Sequence, residues 1–409
     1  MNTPRPVSRT GRRLACLAPW LLVAATTHAT PDTSGHVGPP SAKPIPVKVT
    51  PEMLGAGIVS SGAVLPPIPP VTGSRAKPVP SWGKPLPYPI MIADRRNNRL
   101  IEIAPDKRIV WEMPSPNLAF YRGNEDVNFS ADGKRLAVSE EDNFDLHIVD
   151  YDTRTVTWTY GVPDHRGSKG NLLNYPDDSH LLADGQFLTA DIRNCRVLII
   201  NPTTNQITTQ WGQNGKCTHN PPQQLAWPNG ATPMENGDIL VSEITGAWIS
   251  RITRAGKVLW SASAPKVRYP SDAFPTVDDQ QVIVADFSKP GRVVIFDPLT
   301  CKAGAKPGAC KPSWEYFQAE GEGMLDHPSI ARELPGTGDV LIVDDLHDRV
   351  VVVDRQTKQI IWQYGIKGVK GHAPGYLNYP DGVDIDVFHD WKAALARTPA
   401  PAAAPTKHP

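Results

Sequence analysis

The chain has 409 residues, enough for a large core, and its 42 basic and 42 acidic side chains cancel. That balance excludes the strongly basic face a nucleic-acid partner requires. The 43 prolines are the compositional anomaly, and they concentrate outside the patterned middle of the chain.

At the N-terminus Arg5, Arg9, Arg12 and Arg13 precede the apolar run Leu14 to Ala25, and Thr27-His28-Ala29 supplies small residues near a cleavage point. Basic start, short apolar core and small-residue end come in the order of an export signal. The run is too short to span a bilayer, which takes about 20 residues. Residues 1–29 are therefore read as a cleaved signal and the mature protein as periplasmic or secreted. Cleavage leaves 38 basic against 42 acidic groups, a net of −4. No later segment is apolar for long enough to cross a membrane. Residues 30–87 (PPSAKPIPVKV, VLPPIPPVTG) carry no sustained period, and their proline content predicts an extended linker. The tail 392–409 reads the same way, so the folded body is expected over 88–391.

Within that body a tryptophan ends each of six units: Trp111, Trp158, Trp211, Trp260, Trp314 and Trp362. Ahead of each lies an alternating apolar strand closing on an acid, at Asp94, Glu140, Asp191, Glu243, Asp286 and Asp344. A third strand follows (RLIEIA, LHIVDY, RVLIIN, WISRIT, RVVIFD, RVVVVD). A first strand opens on an aromatic or histidine before proline, as in NYPDDSHLL, AWPNGATPM, RYPSDAFPT, DHPSIAREL and NYPDGVDID; one unit opens with GNEDVNFS instead. Asp-Gly and Asn-Gly turns separate the strands. Six units of four strands predict an all-β fold, a six-bladed β-propeller of four-stranded antiparallel blades. The first unit lacks its opening strand, and the last stretch, Tyr379 to Asp386, is an opening strand without a unit. Joined, they close the ring.

The glycine-rich loop, Tyr-Pro-Asp-Gly, Ile-Ala-Asp and Asn-Arg together resemble the NHL repeat, and Arg196-Val197, Arg292-Val293 and Arg349-Val350 fit the same place. The hairpins DYDTRTVTW, NPTTNQITTQW and TRAGKVLW are similar to the tryptophan-ending turns of quinoprotein-like and arylsulfotransferase-like propellers. The resemblance covers nearly the whole body and implies the fold; such repeats serve binding platforms and enzymes alike.

Six acids at one blade position read as turn-binding carboxylates paired with nearby arginine, not as a metal ring. The tryptophans read as packing between blades. Function is expected where the repeats differ. Aligned on the opening proline, the second position after it reads Asp126, Asp178, Gly230, Asp272, Ile330, Gly382, and the fourth Asn128, His180, Thr232, Phe274, Arg332, Asp384. Asp126, Asp178, His180, Asp272, Arg332 and Asp384 are therefore the candidate ligand-binding cluster, lining the channel near the face that carries the between-blade loops. Arg332 offers planar donors to an anion and His180 a group titrating near neutrality. No catalytic residue or cofactor is assigned and no metal site is expected, because inner-strand starts offer too few histidines for three convergent ligands. Cys16 leaves with the signal. Of the remaining four cysteines, Cys195 and Cys217 fall on one face and Cys301 and Cys310 bracket an insertion, which predicts Cys195–Cys217 and Cys301–Cys310 bonds. The expected function is a monomeric, exported module that binds a small molecule, peptide or protein through its channel mouth and loops. The alternative is a propeller enzyme, a lyase, hydrolase or arylsulfotransferase-like activity, with its active site at the central channel.

Overall fold

The computed structural model describes residues 86–115, 117–301 and 310–391. The export segment and nearly all of the proline-rich stretch and tail lie outside them. Leu86 is buried against the core, so the body begins at least two residues ahead of residue 88.

Twenty-four strands form six four-stranded antiparallel sheets. Five sheets take four consecutive strands each. The sixth joins β24 (Pro380–Ile385) to β1 (Ile90–Asp94), β2 (Arg99–Ile103) and β3 (Ile109–Pro114). β24 pairs with β1 through Ile90 and Ile385, Met91 and Asp384, and Ile92 and Val383. The ring is thus closed by the C-terminal strand, and no blade is left with an open inner edge.

The inner strands are β4 (Val127–Phe129), β8 (Pro176–Leu181), β12 (Pro228–Pro233), β16 (Pro270–Pro275), β20 (Pro328–Glu333) and β24. Each neighbours the next around the channel. On the outer strands the tryptophans reach the following blade. Trp111 Nε1 donates to the Tyr151 carbonyl at 2.8 Å, Trp158 Nε1 to Asn205 Oδ1 at 2.6 Å and Trp314 Nε1 to the Arg355 carbonyl at 2.7 Å. In these three units a large apolar ring is buried between blades while its one N–H finds a partner in the neighbour's hairpin; Trp362 is buried in the same way with its Nε1 unpartnered among the described residues.

The acids that end the second strands form a second device. Each accepts from a backbone N–H just ahead of its own blade's inner strand: Asp94 from Asn378 (2.8 Å), Glu140 from Arg122 (2.9 Å), Asp191 from Asn174 (2.8 Å), Glu243 from Ala226 (2.5 Å), Asp286 from Arg268 (3.0 Å) and Asp344 from Asp326 (2.6 Å). The acid therefore holds the between-blade loop, not only its own turn. In three blades an arginine completes the clasp, with Arg99, Arg196 and Arg349 each placing Nε 2.7 Å from the carboxylate.

Between blades the residue that follows the second-strand turn acts as a tether, and it sits in the left-handed region at Asn98, Phe144, Cys195 and Asp348. Asn98 Oδ1 accepts from Gly123 N (2.9 Å) and Asp348 Oδ1 from Tyr379 N (2.9 Å). Phe144 packs edge-on against Tyr175, and Cys195 is bonded to Cys217. Each partner lies in the loop leading into the next blade. The second disulfide, Cys301–Cys310, joins the ends of an insertion in a blade hairpin.

Candidate functional site

The channel is built from three stacked layers of inner-strand side chains. The repeat's alternation predicts that every second residue points inward, but the strands do not keep that phase. A β-bulge interrupts the pairing just after the opening proline in β8, β12, β16 and β20, and the β1–β24 pairing shifts at the same level. An extra residue at a bulge re-aims the side chains around it. The first and the second residue after the proline therefore both contribute to the channel, and Asp178 is held there at a φ of +41°.

The outermost layer, nearest the between-blade loops, is Glu125, Asp177, Asn229, Ser271, Ser329 and Asp381. All six are buried. Asn229 Nδ2 donates to Asp177 Oδ2 at 2.7 Å and approaches Ser271 Oγ at 3.4 Å. Ser329 Oγ donates to Asp345 Oδ1 at 2.7 Å. Arg95, from the turn after β1, is 2% exposed and fastens Asp381 (2.6 Å) and Glu141 (2.8 Å). Burial, then repulsion from Asp177 and Asp381, pushes the Glu125 carboxyl well up. Asp177 itself is pushed up to about 7, by burial and then by Asp381 and Asp178, despite the hydrogen bond from Glu125. Like carboxylates at this spacing cannot all ionise.

The second layer holds Asp126, Asp178 and Asp272, three of the residues predicted from sequence. Asp126 Oδ2 accepts from Ser179 N (3.1 Å) and Asp178 Oδ2 from Ala231 N (2.7 Å), each in the following blade. These aspartates therefore clasp blade to blade around the channel. Asp272 is raised well above its ordinary value by burial and by Asp178, Asp177 and Asp126. Its Oδ1 has no hydrogen-bond partner among the described residues. Asp178 is lowered: burial would raise it, but the His180 imidazole 2.7 Å away and the bonds from Asp126 and Ala231 outweigh burial. Gly230 and Gly382 occupy this layer because no side chain fits; a Cβ at Gly382 would lie 2.6 Å from Asp126 Cα.

His180, Arg332 and Asp384 form part of the third layer, next to the hairpins on the opposite face from the between-blade loops. The sequence reading set the whole cluster near the loop face; the strands carry these three through to the other end. Arg332 pairs with Asp384, donates to the Val383 carbonyl at 3.2 Å and lies 4.6 Å over the Phe274 ring. Asp384 Oδ2 accepts from Phe129 N at 2.7 Å. His180 pairs with Asp178 instead. Asn128 joins Arg332 to the second layer: its Nδ2 donates to Asp126 Oδ2 (2.8 Å) and its Oδ1 accepts from Arg332 Nη1 at 3.5 Å. Arg332 thus already holds a carboxylate of the chain, Asp384, while His180 lies against a different one, Asp178.

The loop-side mouth carries a feature that in the sequence reads only as the opening mark of a unit. The residue before each opening proline is Tyr175, Trp227, Tyr269, His327 or Tyr379, and four of the five sit in the left-handed region. Four are half-buried and Tyr379 is buried. Tyr269 Oη donates to Asn229 Oδ1 at 3.2 Å, directly onto the carboxylate belt. Phe287 packs against both Tyr269 (5.4 Å) and His327 (4.9 Å). Arg193 lies 4.2 Å over the Tyr175 ring and Arg96 4.6 Å over Tyr379. An aromatic collar therefore surrounds the mouth, with a belt of mostly acidic groups beneath it. A separate open cleft of about 400 Å³ on the outer rim is lined by Lys266, Arg292, Glu315 and Phe317, and Lys266 and Arg292 are already paired with Glu315.

Fold and channel together define a six-bladed β-propeller with a buried polar channel. Over residues 193–375 the chain matches the family model described as outer membrane protein assembly factor BamB. No curated protein matches the chain. Among solved structures it is similar to a protein of unknown function from Bacteroides caccae, with a TM-score of 0.50, 14% identity, and 73% of this chain and 98% of that one covered. It is also similar to virginiamycin B lyase from Staphylococcus aureus, with a TM-score of 0.46, 13% identity and coverage of 70% and 85%. These likenesses extend to the fold alone.

Proposed function

We propose that this protein is an exported binding module whose loop-side channel mouth takes a cationic group, in particular a basic side chain of a protein partner. The observation that carries the reading is the aromatic collar, Tyr175, Trp227, Tyr269, His327 and Tyr379, standing over the belt of Glu125, Asp177 and Asp381. Aromatic faces attract cations, and two of the collar rings already hold guanidinium groups of the chain itself. The belt beneath is electrostatically incomplete, because its acids outnumber Arg95, and burial with mutual repulsion pushes Glu125 and Asp177 above the ordinary carboxylate range. Tyrosine, tryptophan and histidine at a rigid rim give large contact area at low entropy cost. The similarity of residues 193–375 to an assembly-factor family fits a role in contact with other proteins. Two disulfides in the described residues fit an oxidising compartment.

The test is calorimetric titration of the mature protein with a lysine-rich peptide and a glutamate-rich peptide of equal length at physiological salt. Binding of the basic peptide alone is expected, weakened about tenfold by Trp227→Ala, which corresponds to about 1.4 kcal/mol. Arg332→Ala, at the far end of the channel, should leave it unchanged. Equal binding of both peptides, or indifference to Trp227→Ala, would remove the reading. Cell fractionation with a fused reporter tests export separately.

A further inference from the structure

The second blade, β4 with β5 (Arg135–Glu140), β6 (Asp145–Asp150) and β7 (Thr155–Gly161), departs from the clasp described above. In three blades the strand-end acid is neutralised by an arginine that opens the next strand: Arg99, Arg196 and Arg349. In the second blade that position is Asp145. Two residues on, where those blades carry Ile101, Leu198 and Val351, the second blade carries His147. Glu140, Asp145 and His147 are all fully buried, with ligand-type atoms within 4.8 Å of one another. One blade has thus exchanged a neutral acid–arginine pair for two carboxylates and an imidazole.

The geometry points to a buried site for one divalent first-row transition ion, zinc foremost, held by His147 Nε2, Glu140 and Asp145. The imidazole is oriented for it. His147 Nδ1 lies 2.9 Å from Thr159 Oγ1, a contact that fixes the ring and turns Nε2 toward the carboxylates. Such an outer partner is the usual companion of a ligating histidine. Nε2 lies 3.6 Å from Glu140 Oε2 and 3.6 Å from Asp145 Oδ2. That is beyond hydrogen-bond reach. It is close to the edge of a tetrahedron with metal–ligand bonds of about 2.1 Å, which is about 3.4 Å. Nε2 and Asp145 Oδ1 are both buried without a hydrogen-bond partner among the described residues. Asn143 Nδ2 meanwhile holds an oxygen of each carboxylate, Glu140 at 2.9 Å and Asp145 at 3.3 Å. Tyr121 closes one side, its ring 4.9 Å from that of His147.

Charge and chemistry select the ion. With the imidazole deprotonated, as a ligand must be, two carboxylates leave two negative charges in a buried site, which a divalent cation cancels. Imidazole with carboxylates suits zinc and its neighbours rather than calcium or magnesium, which take oxygen sets. The ion would be structural. This blade alone opens without the aromatic–proline pair, and its inner strand is the shortest, at 3 residues; a metal bridging the strand-end acid and the next strand replaces the missing arginine.

The experiment uses the full mature chain, unfolded with chelator, refolded with Zn²⁺ or Co²⁺, and freed of excess metal. Elemental analysis should find about one ion per chain. The Co²⁺ form should show the intense visible bands of a four-coordinate site, and chelator in mild denaturant should lower Tm. Because His147→Ala alone may simply misfold, the decisive variant is Asp145→Arg with His147→Val, which rebuilds the clasp of the other blades. It should fold, bind no ion and keep its Tm in chelator. A wild-type chain that refolds without metal and is indifferent to chelator overturns the proposal and leaves His147 as a protonated substitute for the arginine. Stoichiometric metal retained by the double variant overturns it too.

Discussion

Arg99→Ala tests whether the acid–arginine clasp closes the ring. Asp94 and Arg99 are 0% and 2% exposed. Arg99 Nε meets Asp94 Oδ2 at 2.7 Å while Asp94 Oδ1 accepts from Asn378 N at 2.8 Å, 284 residues away. The same carboxylate thus fastens the loop leading into the closing strand. Removing the guanidinium leaves a buried carboxylate with Asn97 and Asn378 as its only polar neighbours, a loss of about 3–5 kcal/mol for a broken buried pair. The Glu112 contact at 3.0 Å adds little, because Glu112 is partly exposed. At about 2–4 °C per kcal/mol the melting temperature should fall by roughly 6–20 °C. The exposed pair Arg108–Asp106 is the control, where Arg108→Ala should cost about 1 kcal/mol or less. Thermal melts of Arg99→Ala, Asp94→Asn and the double variant close a mutant cycle. A coupling below about 1 kcal/mol would show that the pair is not a clasp. Retention of one cooperative transition after deletion of 376–391 would show that closure itself is not structural.

Two further outcomes follow from the channel and the loops. Asp177 is pushed up to about 7 from an ordinary 3.8, so between these values the native state binds more protons than the unfolded chain, and this group's contribution to stability is lost as pH rises through about 7. Relative to wild type, Asp177→Asn should therefore gain stability across pH 4 to 8, read as the difference of two Tm–pH curves; a flat difference would refute the assignment. Replacing Cys195 and Cys217 together by serine should cost about 2–4 kcal/mol and preferentially raise proteolytic cutting in 213–227. Non-reducing peptide mapping that found either cysteine free would contradict the pairing.

The fold was legible because its devices recur in every unit. One tryptophan marks the outer strand, one acid takes a loop N–H, and both recur at a similar interval in every unit. The channel was legible only in part. Asp126, Asp178 and Asp272 come together as the strand alignment implies, but His180 and Arg332 partition to the other end, on different carboxylates. The cause is the bulge after the proline, a backbone feature that breaks the two-residue period and that β8, β16 and β20 make without a glycine to announce it. The outer belt, by contrast, had a signal: the residue just after the proline is polar in all six blades, Glu125, Asp177, Asn229, Ser271, Ser329 and Asp381. Strict alternation assigned that column to the blade interior, and so hid it. Arg95 could not be placed from sequence at all, since only the short helical turn after β1 carries it into the channel.

The same reasoning explains why variation within the repeat is more informative than the repeat. At the left-handed position after four of the second-strand turns, asparagine, phenylalanine, cysteine and aspartate all do one job, holding the next blade's loop, by a hydrogen bond, a ring contact or a covalent bond. The physical requirement there is reach, not identity, so a change of residue carries no functional message. At the arginine column the requirement is a partner for the strand-end acid, and where that column carries Trp248, His219 meets Glu243 at 2.8 Å from the preceding loop. A buried strand-end carboxylate must be neutralised, and leucine, serine or lysine at Asp145 would each leave it less well served than arginine does elsewhere. Replacing that cation by a second carboxylate makes the local problem worse, unless a cation arrives from outside or the neighbouring imidazole is kept charged. A substitution that opposes the physics of its own position is therefore the strongest local sign of a bound partner. By that criterion Asp145 stands apart from the variation at Asn98, Phe144, Cys195 and Asp348.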